Sequence, residues 1–269
     1  MKASPKNIVK QRYKAGLVSL GIQVKESSQH LVEIAGVVGA DFVKLDSFRW
    51  PVSPEMLQGL IQTAWSHQMM PWVASPTEFW DMMWRMDMGA QGLSIACARN
   101  AEDVQKMVDA TYYAPIGRRE SNRPLRFRGM SQGDYFDLAR DETLLCAQIE
   151  DEEGMANLKE ILKNEHLDVI CVGSGDLAIS LGVANDRNHP KVKEARKRIH
   201  LEALAAGKQV TVTQAVTTEG LDEAAYWVEQ GVNIVTLDGP FKVLIQTYGD
   251  ALKNLKGAIG YDTAKLAAE

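Results

Sequence analysis

The sequence predicts a (β/α)8 barrel, in which eight parallel strands alternate with helices and close into a cylinder. Short apolar runs with β-branched residues occur eight times, and segments with helical periodicity lie between them. Glycine ends several of these helices shortly before the next strand begins. Eight such units within about 250 residues match this barrel better than a doubly wound sheet.

The predicted elements follow one another without a long interruption until residue 110. The strands are expected over 17–22, 41–46, 70–74, 92–96, 143–150, 168–172, 209–213 and 233–238. The helices are expected over 28–38, 54–67, 101–110, 155–163, 191–206 and 219–230. Gly39, Gly89, Gly207 and Gly231 each follow a helix, where glycine adopts the left-handed conformation that ends it.

Length and composition indicate an ordinary globular protein. The 269 residues allow one large domain or two small ones, and the strand spacing assigns 1–269 to one barrel, with 257–269 as a frayed tail. An apolar fraction of 45% excludes collagen-like and disordered chains. A formal net charge of −5 gives no reason to bind nucleic acid or an anionic membrane surface.

The cysteines and the N-terminal region indicate a compartment. Cys97, Cys146 and Cys171 each lie within an apolar run, and an odd number without close pairing is typical of a reducing environment. Residues 1–16 include basic side chains but lack the apolar core of a signal peptide, and no run of about 18 apolar residues occurs. We therefore expect a soluble, cytoplasmic protein.

Two segments exceed what a minimal barrel needs. A wide gap over 111–142 holds the run PIGRRESNRPLRFRG with five arginines, and we read it as a functional loop after a strand or as a solvated or subunit-contacting loop. The stretch FWDMMWRMDM over 79–88 is apolar on most of a helical surface. It predicts a homo-oligomer contact, with cover by the chain's own loops as the alternative.

Polar residues at strand ends are the candidates for chemistry, because the active site of such a barrel lies at the carboxyl ends of its strands. In chain order these residues are Asp46, Arg49, Ser75, Gln148, Glu150, Ser174, Asp176, Thr213, Gln214 and Asp238. Four of them are carboxylates that we expect to face one small space.

Glu150 and Asp176 form the best pair, because each follows a strongly apolar strand and the two strands are neighbours. Like charges held close together raise one another's pKa or bind a cation. An oxygen-rich set suits magnesium or manganese, with cobalt or zinc as further candidates, and a hydrogen-bonded structural cluster is the alternative. The turn GSGD over 173–176 could hold an anion on its backbone amides, or need glycine for its geometry alone.

Aromatic and polar residues are expected to shape the mouth of the barrel. They are Phe48, Trp50, Trp72, Thr213, Gln214 and Asp238. The aromatic members indicate a substrate with an apolar or aromatic portion, or else pack beneath loops or between subunits.

Lys44 is unusual because it lies two residues before Asp46, on the same face of the strand, where barrels bury aliphatic side chains. A buried lysine can act as a base or form a Schiff base when its pKa is lowered. An ion pair with Asp46 is the more common arrangement.

Four stretches carry a resemblance to a known family: ADFVKLD at 40–46 with Pro51, DYFDLARDETLLCAQIEDEEGMANL at 134–158, DVICVGSGDLAISLG at 168–182 and NHPKV at 188–192. They resemble the HpcH/HpaI aldolase family of metal-dependent 2-oxo acid aldolases. The likeness extends over about residues 8–256. It implies a (β/α)8 barrel that forms a trimer or hexamer, with its last helix packed on a neighbouring subunit.

The resemblance also implies roles for individual residues. Glu150 and Asp176 match the two metal-binding carboxylates of the family, and Gln148 matches the glutamine beside them. Gly175 and Asp176 match the turn whose backbone amides hold the substrate carboxylate. Asp46 matches the aspartate that opens the family motif D-x-E-H-x-P.

Two departures from the family pattern occur together. Arg49 stands where the motif has the histidine of an acid/base dyad, and Ala74 stands where an arginine supports the substrate oxo group. Arginine stays protonated and cannot be an ordinary general base. Arg49 is therefore expected to bind a substrate carboxylate or an enolate oxygen, or to form a salt bridge with Asp46.

The leading hypothesis is a divalent-metal-dependent carbon–carbon lyase that acts on a 2-oxo acid or related small carboxylate through an enolate. The candidate catalytic residues are Asp46, Arg49 and Gln148, the substrate-binding ones are Trp50, Ser174, Gly175, Asp176, Thr213 and Asp238, and the metal ligands are Glu150 and Asp176. A decarboxylase or isomerase would use the same site. A non-catalytic ligand-binding barrel is the alternative from a different class.

Overall fold

A closed barrel of eight parallel strands forms the centre of the molecule. The computed structural model describes residues 6–184 and 186–259. The strands are β1 Ser19–Val24, β2 Phe42–Asp46, β3 Met70–Ser75, β4 Gly92–Ile95, β5 Leu144–Ile149, β6 Val169–Val172, β7 Gln209–Gln214 and β8 Ile234–Leu237. Each strand pairs in parallel with the next, and β8 pairs with β1. The predicted (β/α)8 barrel is confirmed.

Helices surround the barrel and connect its strands. They are α1 Ile8–Lys14, α2 Gln29–Val37, α3 Pro54–Ser66, α4 Phe79–Asp87, α5 Ala101–Thr111, α6 Gln132–Glu142, α7 Glu152–Ala156, α8 Leu158–Leu162, α9 Ser174–Ser180, α10 Pro190–Ala205, α11 Thr218–Glu229 and α12 Pro240–Ile259. The four glycines expected to end helices all have positive φ, between 77° at Gly207 and 102° at Gly89. No helix of the described ranges is long and apolar enough to cross a membrane.

The barrel interior is filled by alternate residues of the strands. Its lower layer contains Phe42, Met70, Trp72, Leu144, Cys146, Val169, Cys171 and Ile234, closed from below by Val9 of α1. The indole of Trp72 lies 5.5 Å from the ring of Phe42, measured between centroids, and is 0% exposed. The expectation that Trp72 shapes the mouth is therefore wrong, because the pleat places it inward and below the strand end.

The arginine-rich segment lies on the opposite face from the one expected. Helix α5 separates it from β4, so residues 112–131 run along the amino-terminal side of the barrel toward α6. Arg119 is buried there, pairs with Asp87 at 2.6 Å and lies over the ring of Tyr113. The interpretation as a loop after a strand is wrong, and this segment forms a small packed cluster of its own.

Helices α4 and α12 differ in how much of their apolar surface the chain covers. Met82 and Met86 of α4 are buried by the chain itself, whereas Trp80 is 61% exposed. None of the described side chains of α12 is buried, and its apolar residues recur every three or four positions. This stripe contains Phe241, Ile245, Tyr248, Leu252, Leu255 and Ile259. Residues 257–259 continue α12, and 260–269 lie outside the described residues, so the frayed tail stays a prediction.

Replacing Trp72 tests the packing of the lower barrel layer. We expect Trp72→Ala to lower the free energy of unfolding by about 3–5 kcal/mol, because a large buried side chain is removed and a cavity remains. Urea unfolding followed by circular dichroism measures this change. Trp80→Ala is the matched control, and equal midpoints for the two variants would contradict the buried packing of Trp72.

The homo-oligomer expected from the sequence stays a prediction, and the exposed stripe of α12 makes it testable. We expect the unmodified chain to be oligomeric at micromolar concentration and Leu252→Arg to dissociate it, because a charge cannot enter an apolar interface without a partner. Light scattering after size-exclusion chromatography gives both masses. Asn254→Arg places the same charge off the stripe and should leave the mass unchanged; a monomeric unmodified chain would contradict the prediction.

Candidate functional site

A buried carboxylate lies at the carboxyl ends of the strands, which we call the mouth of the barrel. Glu150 directly follows β5 and is 1% exposed. Gln148 donates from Nε2 to Oε2 of Glu150 at 2.5 Å, and the backbone N–H of Cys97 donates to Oε1 at 3.0 Å. Glycine at position 173 leaves room for the Glu150 side chain, because a Cβ on that residue would lie 2.0 Å from Oε2 of Glu150. The expected proximity of Gln148 and Glu150 is present.

Arg49 connects the two carboxylates that the sequence singled out. Its Nη2 lies 2.8 Å from Oδ2 of Asp176 and 3.7 Å from Oε1 of Glu150. Asp176 lies in the first turn of α9. The guanidinium therefore faces both acidic groups from the loop after β2.

Asp46 does not form the salt bridge with Arg49 that we considered. Its Oδ1 accepts hydrogen bonds from the backbone N–H groups of Phe48 and Arg49, both at 3.1 Å. This is the local turn in which an aspartate binds the backbone two residues ahead. The salt-bridge alternative is wrong, and Asp46 instead shapes the loop that carries Arg49.

Arg85 anchors the same loop from below. It donates from Nε to Oγ of Ser47 at 2.9 Å and from Nη2 to the Ser47 carbonyl at 3.0 Å. Ser47 donates in turn to the carbonyl of Ala74 at 2.7 Å. The sequence analysis missed Arg85, because it lies within an apolar helix and far from any strand end.

Cys97 is a second group that the sequence analysis did not place at the site. Its φ of 53° is left-handed, which turns its backbone N–H toward Glu150. Burial, and then the hydrogen bond and charge of Glu150, raise the pKa of the Cys97 thiol to about 12. The thiol is therefore neutral near pH 7. The available signal was its position just after β4, a strand end from which the sequence analysis took no candidate.

Lys44 lies inside the barrel beneath Gln148. Its Nζ is 3.8 Å from Sγ of Cys171, and the Cys171 thiol donates to Oε1 of Gln148 at 3.2 Å. Burial opposes the charge of Lys44, but Cys171, Cys146 and Asp46 favour it, and its pKa lies above the ordinary value. A Schiff-base lysine needs a lowered pKa, so Lys44 is better suited to orienting the Gln148 amide through Cys171.

The remaining predicted residues at strands β7 and β8 separate into two environments. Thr213 is exposed on the inner face of β7, whereas Gln214 points to the other face, toward Glu223. Asp238 pairs with Lys25 at 3.1 Å and with Lys242. Burial would raise the pKa of Asp238, but hydrogen bonds from Lys242 and Gly239 and the charge of Lys25 lower it to about 2.

The carboxylate of Asp238 is thus already neutralised. Within the described ranges, Arg49 connects Glu150 with Asp176, whereas Asp46 and Asp238 bind other groups. Asp46 binds the backbone of its own loop, and Asp238 pairs with Lys25 after β1 and with Lys242 of α12.

The turn at the start of α9 carries a further cation. Ser174 and Gly175 begin the helix next to Asp176, as expected. A Cβ on Gly175 would lie 3.2 Å from Nη2 of Arg187, so this guanidinium covers the turn. Arg187 comes from the connection between α9 and α10, where the strand-end rule gives no signal.

A cleft of about 340 Å3 opens beside the buried carboxylate. Its lining includes Phe48 and Cys97, together with Arg99, Asp103 and Glu153. Trp50 is also exposed on the loop after β2. Phe48 therefore shapes an accessible surface near the site.

The two carboxylates do not fit a bound divalent ion in this arrangement. Both oxygens of Glu150 accept hydrogen bonds from neutral N–H groups, and the guanidinium of Arg49 occupies the side that faces Asp176. Within 6–184 and 186–259, no three His, Cys, Asp or Glu side chains form a group suited to a metal. An ion at this pair would require Arg49 to move away.

Comparison with known proteins places the chain among aldolases and related enzymes. A 4-hydroxy-2-oxo-heptane-1,7-dioate aldolase from Salmonella paratyphi A is 29% identical over an aligned length of 272 residues. The alignment covers 95% of this chain and 99% of the relative. The solved structure of citrate synthase SbnG is 27% identical, with a TM-score of 0.84 and coverage of 93% and 97% of the two chains.

Two more distant structures share the fold. The HpcH/HpaI aldolase from Desulfitobacterium hafniense DCB-2 has a TM-score of 0.86 at 21% identity, over 93% and 97% of the two chains. Citrate lyase beta subunit from M. tuberculosis, complexed with oxaloacetate and magnesium, has a TM-score of 0.59 at 16% identity, over 85% and 95%. The family model described as HpcH/HpaI aldolase/citrate lyase matches residues 20–240. Because this match spans the barrel from β1 to β8, the chain belongs to the HpcH/HpaI aldolase/citrate lyase family.

Proposed function

We propose that the protein is a carbon–carbon lyase of the aldolase type, which cleaves a 2-oxo acid or a related small carboxylate through an enolate. The observation that carries this proposal is the cluster of Arg49, Glu150 and Asp176 at the mouth of the barrel. It combines a cation with hydrogen-bonded carboxylates where barrel enzymes perform their chemistry. Family membership and the aldolase relative support the reaction class.

Substrate binding requires positive or hydrogen-bonding groups for the carboxylate. Arg187 over the turn of Ser174 and Gly175 supplies one cation, and the exposed part of Arg49 supplies another. Thr213 lines the inner face of β7, and Trp50 and Asp238 bound the mouth. We assign the substrate carboxylate to the turn at the start of α9, with the substrate's oxo group toward Arg49.

Cleavage then needs one proton removed and one proton returned. A base takes the proton of the hydroxyl group on the carbon beyond the scissile bond, that bond breaks, and an aldehyde leaves. The bonding electrons form an enolate, which Arg49 stabilises and which is finally protonated on carbon. We assign the proton to Asp46, to a water molecule or to a substrate group, because no histidine contacts the cluster in the described ranges.

A divalent ion at Glu150 and Asp176, with magnesium or manganese preferred, is the alternative to a metal-free site, and the arrangement described above does not fit it. Its support is the family resemblance and the magnesium in the citrate lyase beta subunit structure. Such an ion would act as a Lewis acid that stabilises the enolate. It requires the displacement of Arg49 described above.

The same enolate could instead attack a second carbonyl compound. The similarity to citrate synthase SbnG favours this second candidate, because a citrate synthase forms a carbon–carbon bond. Decarboxylation or isomerisation of a 2-oxo acid would pass through a related intermediate. A barrel that binds such acids without turnover is the non-catalytic alternative.

A substrate screen tests the proposed class. We expect pyruvate to be released from one or more 4-hydroxy-2-oxo acids, and Glu150→Gln to lower kcat/KM about 10²–10³-fold, because the group that orients the site is removed. A coupled assay for pyruvate, run with detection of carbon dioxide and aldehyde, separates cleavage from decarboxylation. Glu165→Gln, far from the mouth, is the control variant.

Two results would contradict the proposal. One is unchanged turnover in Glu150→Gln. The other is a rise in melting temperature on addition of 2-oxo acids while no assay detects a product. That result would indicate a binding protein.

A further inference from the structure

We propose that Arg49 is a built-in cation that takes the place of a divalent metal ion at Glu150 and Asp176, so that the site works without metal. This inference rests on the proposed function for its catalytic part, but its metal-binding part holds or fails separately. It concerns the residue that stands at the position of the family histidine.

Glu150 is a buried carboxylate whose charge has to be balanced. A carboxylate this deeply buried needs a compensating positive charge, and its hydrogen-bond donors, Gln148 and the backbone of Cys97, are neutral. Within the part of the chain that the structure describes, the ion pairs of Glu150 and Asp176 are both made with Arg49. Arg49 therefore supplies the charge that the pair requires.

Hydrogen bonds hold the loop that carries Arg49 in place. A surface arginine ordinarily samples many conformations, but the loop of Arg49 is held at three points. Asp46 accepts its backbone N–H, Arg85 holds Ser47 through two hydrogen bonds, and Ser47 binds the end of β3 at Ala74. These contacts present Arg49 to the acidic pair.

The planar guanidinium of Arg49 can contact several acceptors at once. A guanidinium has five N–H donors in a plane, and Nη2 is the atom that approaches the acidic pair. The Arg49 side chain is 47% exposed, so other donors face the mouth, where a substrate oxygen would bind. One group can thus contact the carboxylates and a developing enolate at the same time.

Arg49 and a divalent cation would compete for the same two carboxylates. A divalent ion bound to Glu150 and Asp176 would lie beside the guanidinium of Arg49, which stays protonated. The two positive charges would repel each other strongly at such close range. Bound metal and the observed position of Arg49 exclude each other. Removing the arginine should therefore free the carboxylates for a metal.

Manganese binding tests this part without any substrate. We expect the unmodified protein to bind Mn²⁺ weakly, and Arg49→Gln to bind it at least about 10-fold more tightly, measured by the loss of the free Mn²⁺ signal in electron paramagnetic resonance. The double variant Arg49→Gln/Glu150→Gln should lose the gain. Arg198→Gln, which removes an exposed arginine paired with Glu202 on α10, should behave like the unmodified protein.

Equal Mn²⁺ affinity of the unmodified protein and Arg49→Gln would overturn the proposal and indicate that Arg49 only covers a working metal site. Circular dichroism and melting temperature establish that each variant is folded. This measurement decides the question even when no substrate has been found.

Turnover of the metal-free protein tests the catalytic part. After treatment with a chelator, we expect the unmodified protein to keep its pyruvate release, and Arg49→Gln to lose about 10²-fold or more in kcat. Arg49→Lys keeps a point charge and should recover part of the loss. A requirement of the unmodified protein for added Mg²⁺ or Mn²⁺ would overturn this assignment while leaving the lyase proposal intact.

Discussion

The burial of one carboxylate is the constraint on which the rest of the site depends. Glu150 lies almost completely out of water, where an unpaired negative charge is unstable. Its oxygens are satisfied by the Gln148 amide and by a backbone N–H that the left-handed conformation of Cys97 turns inward. Its charge is balanced by Arg49. The left-handed backbone of Cys97 after β4 and the loop after β2 both position groups that contact Glu150.

The barrel interior supports that arrangement in layers. The lower layer is apolar and contains Trp72 and Phe42, which fix the strands. Lys44 contacts Cys171 of this layer, Cys171 donates to the Gln148 amide, and Gln148 in turn binds Glu150. Because strand residues alternate between the two faces, these side chains stack along the barrel axis toward the mouth. The site is therefore connected to the core by direct contacts.

Membership of the HpcH/HpaI aldolase/citrate lyase family gives this cluster its chemical context. The two carboxylates of the family resemblance are present, and Arg49 from the loop after β2 contacts both of them. In the proposed function, Arg49 supplies a fixed positive charge where the resemblance implies an imidazole. The proposal keeps electrostatic stabilisation of an enolate and removes one proton carrier.

The sequence by itself determined the barrel, because the period of the apolar runs and the glycines after helices are local signals. It also identified Glu150 and Asp176, since a residue that closes a strand must lie at the mouth in this fold. Partners distant in sequence were decided only by the tertiary structure. Arg85 reaches Ser47 and Arg49 reaches Asp176 across separations that no periodicity encodes.

The location of the arginine-rich segment and the burial of Trp72 were misjudged, and the lysine partners of Asp238 were not foreseen, for the same reason. Whether a side chain lies at the mouth, in the core or beside a lysine depends on the three-dimensional register of the strands and the face to which a connection runs. Local sequence patterns define elements and their ends. Charge balance in a buried site is a property of groups brought together by folding.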